Sequence, residues 1–108
     1  MKKICWFSKH PLLRVQKDAL REMFGEDAAF EWDNRTFDDA SIIKARFEGS
    51  GCDVLVAVAP LWTLVALWRA GLRPYYAKGE RSHGKRWRFT HFELFDPNNV
   101  VGENPAHA

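Results

Sequence analysis

An unbroken apolar run near the middle of the chain constrains its fold more than any other feature. Residues 54–59 carry no polar side chain, and Pro60 follows directly. A strand with one face in water alternates polar and apolar residues, so this run predicts a strand covered on both faces, as in a parallel α/β sheet. Proline suits the first turn of a helix, because its φ is fixed and its missing N–H is not needed there. The segment therefore predicts a buried strand that leads straight into a helix.

Length and composition favour one globular domain. The chain has 108 residues, and its 46% hydrophobic and 14% aromatic content excludes a disordered protein. We expect a single domain over residues 1–95 and a polar, frayed tail over residues 96–108. No apolar run approaches the roughly 20 residues of a membrane helix, and the run that begins at Ile4 ends at Ser8, too early for a signal peptide.

Cys5 and Cys52 are the two cysteines, and both lie in or beside predicted buried strands. Their spacing matches no metal motif, and the histidines are not spaced as metal ligands either. We therefore expect two small buried hydrophobes in a reduced, cytoplasmic protein, with no metal and no cofactor. The turn after the first strand also lacks the Gly-x-Gly-x-x-Gly that a dinucleotide site needs, which argues against NAD or FAD.

The remaining patterns predict the order β-α-β-α-β-α-β-β. The expected strands are 2–7, 28–32, 54–59, 74–77 and 86–95. The first and third helices are expected at residues 12–24 and 61–70. The second helix is expected to be capped by Asp38 or Asp39 and to end at residues 49–51. Residues 78–85 are expected to form a loop. The last strand alternates Trp87, Phe89, His91 and Glu93 with Arg88, Thr90, Phe92 and Leu94, which is typical of an antiparallel strand.

Right-handed crossovers make this order a small Rossmann-like three-layer sandwich, with a mainly parallel sheet and an antiparallel last strand. In the flavodoxin-type strand order, the first and third strands are neighbours, and their helices pack on opposite faces. A crevice then opens between their carboxyl ends. Its predicted walls are residues 8–11 and 59–62, with residues 78–81 beside them. The helix after Pro60 would present the N–H groups of residues 61–63 to an anionic ligand.

Ser8, Lys9 and His10 form the sharpest polar cluster. A hydroxyl, an ammonium and an imidazole at a strand end can bind a phosphate. They can also serve phosphodiester cleavage, with Lys9 stabilising charge and His10 transferring a proton. Alternatively, Ser8 caps the first helix and His10 is a solvated turn residue. Trp62 has two interpretations as well, stacking on a base or packing in the core, and the core is favoured.

The charge of the chain is uneven although its net value is only +2. Seven lysines and arginines lie between residues 69 and 88, opposed by Glu80 alone. Lys78 and Arg81 belong to this basic segment, and residues 80–86 would form either a clamp on phosphates or a solvated hairpin. A basic segment of this kind also predicts a nucleic-acid partner.

The turn Ser8-Lys9-His10-Pro11-Leu12 after the first strand, together with Gly25 after the first helix, resembles a known family. It is similar to the small stand-alone proteins of type III CRISPR systems, which are related to CRISPR-associated Rossmann-fold (CARF) domains. The likeness covers residues 2–95 as topology and turn placement. It implies a homodimer that binds cyclic oligoadenylate, and in some members a ring nuclease that cleaves it without a metal. Carried over, it places Ser8, Lys9, His10, Pro60, Leu61, Trp62, Lys78 and Arg81 around the ring.

Three hypotheses follow from the sequence. The first is an antiviral signalling protein that binds a cyclic oligonucleotide and either cleaves it by attack of a ribose 2′-hydroxyl or only holds it, using Ser8 to His10 and residues 60–63. The second is a non-enzymatic module that binds RNA or DNA through residues 69–88. The third is a protein-interaction module that uses exposed tryptophan and phenylalanine side chains as a contact surface.

Overall fold

Alternating strands and helices build a single sheet with a helical layer on each face. The computed structural model describes residues 1–34, 39–82 and 86–98. Within them, the strands are β1 (Lys3–Phe7), β2 (Ala29–Asp33), β3 (Val54–Ala57), β4 (Tyr75–Ser82) and β5 (Arg86–Leu94). The helices are α1 (Arg14–Phe24), α2 (Ala40–Ser50) and α3 (Leu61–Arg69). The predicted element order is confirmed.

The strand order is β2-β1-β3-β4-β5, with the first four strands parallel and β5 antiparallel to β4. This is the predicted Rossmann-like α/β sandwich. Leu20 of α1 packs on one face of the sheet, whereas Ile43 of α2 and Leu67 of α3 pack on the other. The helices that follow β1 and β3 therefore lie on opposite faces, as the flavodoxin-type order requires.

Central strands are buried on both faces, as the apolar run predicts. All four residues of β3 are buried, and β1 alternates between the two cores. The predicted third strand is nevertheless too long. Val58 is 51% exposed, because the chain turns outward after its N–H donates to the Phe7 carbonyl at 2.9 Å.

Helix starts differ from the sequence expectations for local reasons. Helix α1 begins at Arg14, after Leu13, whose N–H donates to Gln16 Oε1 at 2.9 Å. The alternative in which Ser8 caps this helix is therefore wrong. Helix α2 is capped by Asp39, which accepts a hydrogen bond from the Ser41 N–H at 2.8 Å. Asp38, the other candidate cap, lies outside the described residues.

The hairpin of β4 and β5 corrects two expectations. Residues 78–82 continue β4 instead of forming a loop, while residues 83–85 lie outside the described part. Lys78 pairs with His91 and Gly79 pairs with Phe89, so Thr90 is an extra residue in a β-bulge. The strict alternation predicted for β5 is therefore wrong. Phe89 and Phe92 pack against each other on the α1 side, with ring centroids 4.8 Å apart.

The two cysteines form a disulfide, so the expectation of separate, reduced thiols is wrong. Cys5 lies in β1 and Cys52 shortly before β3. Because these strands are neighbours, the Cα atoms of the two residues lie 6.0 Å apart. Their separation of 47 residues gives no local signal of this contact.

The C-terminal boundary of the described core lies near Phe95, which is buried and packs edge-on against Tyr76. Residues 99–108 of the expected polar tail lie outside the described residues. None of the helices in the described part of the chain has the length and apolar character that crossing a membrane requires.

Candidate functional site

A cavity of about 600 Å³ opens at the carboxyl ends of β1 and β3. We refer to it as the crevice. Its lining comes from the turns after β1 and β3, from the starts of α1 and α3, and from the hairpin. The lining residues are Trp6, Ser8, His10, Pro11, Leu13, Gln16, Ala57, Val58, Ala59, Leu64, Tyr76, Ala77, Arg81 and Trp87. The crevice therefore lies where the strand order predicts a ligand site.

The turn after β1 is fixed by hydrogen bonds from two tryptophans. Trp6 Nε1 donates to the His10 carbonyl at 2.7 Å, and Trp32 Nε1 donates to the Ser8 carbonyl at 2.8 Å. Ser8 is 3% exposed, and its Oγ accepts the His10 N–H at 3.1 Å. The Ser8 hydroxyl thus holds the turn together, and the exposed imidazole of His10 belongs to a preformed wall of the crevice.

Aromatic side chains form much of the opposite wall. Trp87 is 49% exposed, and its ring lies across Gly79, where any Cβ atom would overlap it. Arg81 pairs with Trp87 across the hairpin, so both side chains lie on the same face of the sheet. Arg81 is the one lysine or arginine in the described lining. The crevice thus combines flat apolar surfaces with a single permanent cation at an exposed position.

The turn after β3 offers fewer free N–H groups to a ligand than its sequence predicts. Thr63 is buried and its N–H donates to the Pro60 carbonyl at 3.0 Å, so this N–H is used within the helix. The N–H groups of Leu61 and Trp62 belong to the first turn of α3, where a helix has no internal partners for its donors. Pro60 is exposed at the start of this turn.

Other predicted residues lie apart from the crevice. Trp62 is 74% exposed, so its assignment to the core is wrong: Thr63, Leu64 and Leu67 face the sheet, and Trp62 lies on the solvent side of α3. Leu61 and Trp62 line a separate surface depression on that helix. Lys9 is exposed, and Lys78 is half-buried with its Nζ 3.9 Å from Glu93 Oε2.

The basic segment is divided between the two edges of the sheet. Arg69 and Arg73 precede β4 and lie at its amino end, whereas Arg81 lies near its carboxyl end. The Arg73 guanidinium lies over the Trp68 ring, 4.7 Å from its centroid, and donates to the Leu72 carbonyl at 2.7 Å. Arg88 forms an ion pair with Glu80. Among the described cations of this segment, Arg69 and Arg73 therefore lie apart from Arg81.

Sequence reasoning missed Trp6, Gln16, Tyr76 and Trp87 as lining residues. Trp87 lies near the start of β5, where it pairs with Arg81, a residue that the sequence did assign to the crevice. Trp6 and Tyr76 lie inside strands, two residues before the segments expected to line the crevice, and Gln16 lies in the first turn of α1. Nothing local marks them as lining residues, because their positions depend on the packing of α1 on the sheet and on the pairing of β3 with β4.

Comparison of the chain with protein-family models, with curated proteins and with solved structures found no match. The geometry of the crevice is therefore the basis for assigning a function.

Proposed function

We propose that the crevice binds a nucleotide, with the base against the aromatic wall and a phosphate at Arg81. The observation that carries this proposal is the pairing of Trp87 and Arg81 on one face of the hairpin, above the carboxyl ends of the central strands. A ring and a guanidinium side by side match a ligand that joins a flat base to an anion. The volume of about 600 Å³ lies within the range of roughly 300–1,000 Å³ for small-molecule sites.

Within this class, we propose a cyclic oligoadenylate as the ligand and a homodimer as the binding form. The support is the family resemblance of the turn at residues 8–12 and the Rossmann-like topology. A ring of repeated adenosine units is symmetric, and two copies of one crevice would supply matching sites for it. His10 and Arg81 would then contact neighbouring phosphates, since both line the same cavity.

Cleavage of the ring is an additional step that falls to His10. The 2′-hydroxyl of one ribose would attack the adjacent phosphorus, the 5′-oxygen would leave, and a linear product with a 2′,3′-cyclic phosphate would result. An imidazole can accept the hydroxyl proton or supply one to the leaving oxygen. Ser8 is a poorer candidate for this role, because its Oγ already accepts the His10 N–H. Arg81, the cation of the described lining, would stabilise the developing charge, whereas Lys9 is not among the lining residues.

The proposal is tested by titrating the protein in EDTA with AMP, with linear oligoadenylate and with cyclic tri-, tetra- and hexa-adenylate. Calorimetry measures binding, and chromatography detects cleavage. Loss of a charge-assisted hydrogen bond costs about 1.5–3 kcal/mol, so Arg81→Gln should weaken binding about 10–150-fold. Arg69→Gln is the matched control, because Arg69 is an exposed arginine at the other edge of the sheet.

The outcomes separate the parts of the proposal. The site would be refuted if no nucleotide binds at millimolar concentration. It would also be refuted if Arg81→Gln and Arg69→Gln lose nucleotide affinity equally. Binding of AMP without preference for a ring would refute the cyclic ligand alone. Binding without cleavage would refute only the catalytic role of His10 and leave its contact with a phosphate. Equal affinity for linear and cyclic oligoadenylate that falls steeply with salt would favour the nucleic-acid module.

A further inference from the structure

Three residues of metal-binding types, two cysteines and a glutamate, meet on the face of the sheet opposite α1. The order β2-β1-β3 places Cys5 between Glu31 and Cys52, and Cys5 is the register partner of Glu31. Glu31 Oε2 lies 3.6 Å from Cys5 Sγ and 3.5 Å from Cys52 Sγ. All three ligand atoms lie within 4.8 Å of one another. This cluster takes no part in the crevice, whose lining does not include it among the described residues.

We propose that Cys5, Cys52 and Glu31 form a binding site for a thiophilic divalent ion, such as Zn²⁺, when the disulfide is reduced. Two thiolates and a carboxylate are ligands that Zn²⁺ accepts in tetrahedral sites, and the fourth position can be taken by water. In the oxidised protein the same sulfur atoms are bonded to each other, so the site is closed. The cysteine pair therefore acts as a redox-controlled metal site.

The charge around the cluster suits a bound ion. Two thiolates, one carboxylate and a divalent cation carry a net charge of −1. Lys3 Nζ lies 3.8 Å from Glu31 Oε1 and donates to the Ser50 carbonyl at 3.2 Å, which keeps an ammonium beside the cluster. This ammonium compensates the remaining charge of the bound site.

A second cavity provides access to the cluster. It has a volume of about 580 Å³, and Cys5, Glu31 and Ser50 are among its lining residues. This opening supplies an entry path and room for a water ligand, both of which a metal site needs. Ser50 also fixes the backbone next to the second sulfur, because its Oγ donates to the Phe47 carbonyl at 2.6 Å and accepts the Cys52 N–H at 3.1 Å.

The conversion between the two states balances as a thiol–disulfide exchange. A dithiol reductant gives two electrons and two protons to the Cys5–Cys52 bond and becomes a disulfide itself. Binding of the metal then displaces the protons of the two thiols. In the reverse exchange, an external disulfide takes two electrons from the two thiolates and two protons from solvent and becomes a dithiol, and the ion leaves because both thiolate ligands are lost.

Titration of the full chain with Co²⁺ and Zn²⁺ tests this site. The protein is reduced with a dithiol, freed of reductant under nitrogen and compared with the oxidised protein. We expect one equivalent of Co²⁺ to produce a sulfur-to-cobalt charge-transfer band in the reduced protein, and Zn²⁺ to abolish the band. The oxidised protein should show neither effect. A reduced, folded protein without the band would overturn the proposal.

Variants distinguish the three-residue site from a simple dithiol. Glu31→Gln keeps both cysteines and should weaken Zn²⁺ binding at least about 10-fold, by analogy with the loss of supporting groups in metal sites. Glu26→Gln is the control, because Glu26 is an exposed carboxylate elsewhere on the surface. Cys52→Ser should abolish the cobalt band. Circular dichroism verifies that each variant is folded, and an unchanged affinity of Glu31→Gln would refute the role of the carboxylate.

Discussion

Replacing Gly79 by alanine tests the aromatic wall of the crevice directly. A Cβ atom at this position would overlap the Arg88 carbonyl oxygen and two ring carbons of Trp87. The ring is half-exposed and can rotate, but the carbonyl belongs to the paired strand β5 and moves only with the backbone. Overpacking of this kind costs about 1–3 kcal/mol. At about 4 °C per kcal/mol for a domain of this size, the unfolding midpoint should fall by roughly 4–12 °C.

The matched control is the same substitution at Gly49, which adds the same methyl group. Gly49 lies inside α2, and a Cβ atom there would meet nothing within 4 Å. Because alanine favours a helix over glycine by about 1 kcal/mol, Gly49→Ala should raise the midpoint. Thermal and urea unfolding, followed by circular dichroism, measure both variants. The predicted signs are opposite for chemically identical changes.

Gly79→Ala also has a functional consequence, since displacement of the Trp87 ring alters the surface proposed to hold the base. Its nucleotide affinity should fall together with its stability, whereas Gly49→Ala should bind like the wild type. A Gly79→Ala protein with wild-type stability, beside a stabilised Gly49→Ala protein, would show that the Arg88 carbonyl does not approach Gly79 closely. Unchanged nucleotide affinity of Gly79→Ala would refute the aromatic wall and the proposal built on it.

Three further predictions concern the core, the turn after β1 and the cap of α2. Leu67 is fully buried between α3 and the sheet, so Leu67→Ala should lower the free energy of unfolding in urea by about 2–5 kcal/mol. Trp6→Phe removes the hydrogen-bond donor to the His10 carbonyl. The free energy of unfolding in urea should fall by about 0.5–1.5 kcal/mol, and calorimetry should show a weaker nucleotide affinity. The hydrogen bond from the Ser41 N–H holds the pKa of Asp39 below its ordinary value. The ionised Asp39 carboxylate therefore stabilises the folded protein fully above the unfolded-state pKa, and this stabilisation is lost as pH falls through the lowered folded-state pKa. Asp39→Asn should remove that part of the acid dependence in unfolding experiments at successive pH values.

Local patterns were sufficient for the element order and for the place of the crevice. The apolar run of β3 reports burial on both faces, because a strand with a wet face would alternate. Pro60 and the glycines mark boundaries through their own backbone preferences, which act within one or two residues. General handedness rules then leave a few strand orders, among them the flavodoxin-type order of the structure. These signals are local or generic, so they can be read without coordinates.

In α3, the sequence pattern does not predict which side chains are buried. Its residues are apolar around much of the helix, so the sequence could not tell Trp62, which is exposed, from Leu64 and Leu67, which face the sheet. The register of the hairpin has a similar ambiguity. The bulge at Thr90 reverses the faces of the residues beyond it, and nothing in the alternation of β5 marks where the extra residue is placed.

The sequence by itself determined the α/β order, the buried central strands and the end of the sheet at which the crevice opens, because these depend on periodicity and on the preferences of single residues. Tertiary structure decided which distant side chains meet. It joins Cys5 to Cys52 beside Glu31, fixes the Ser8–His10 turn through Trp6 and Trp32, and lays Trp87 across Gly79. Each of these contacts depends on strand register and packing, which are properties of the whole sheet and have no counterpart in the local sequence.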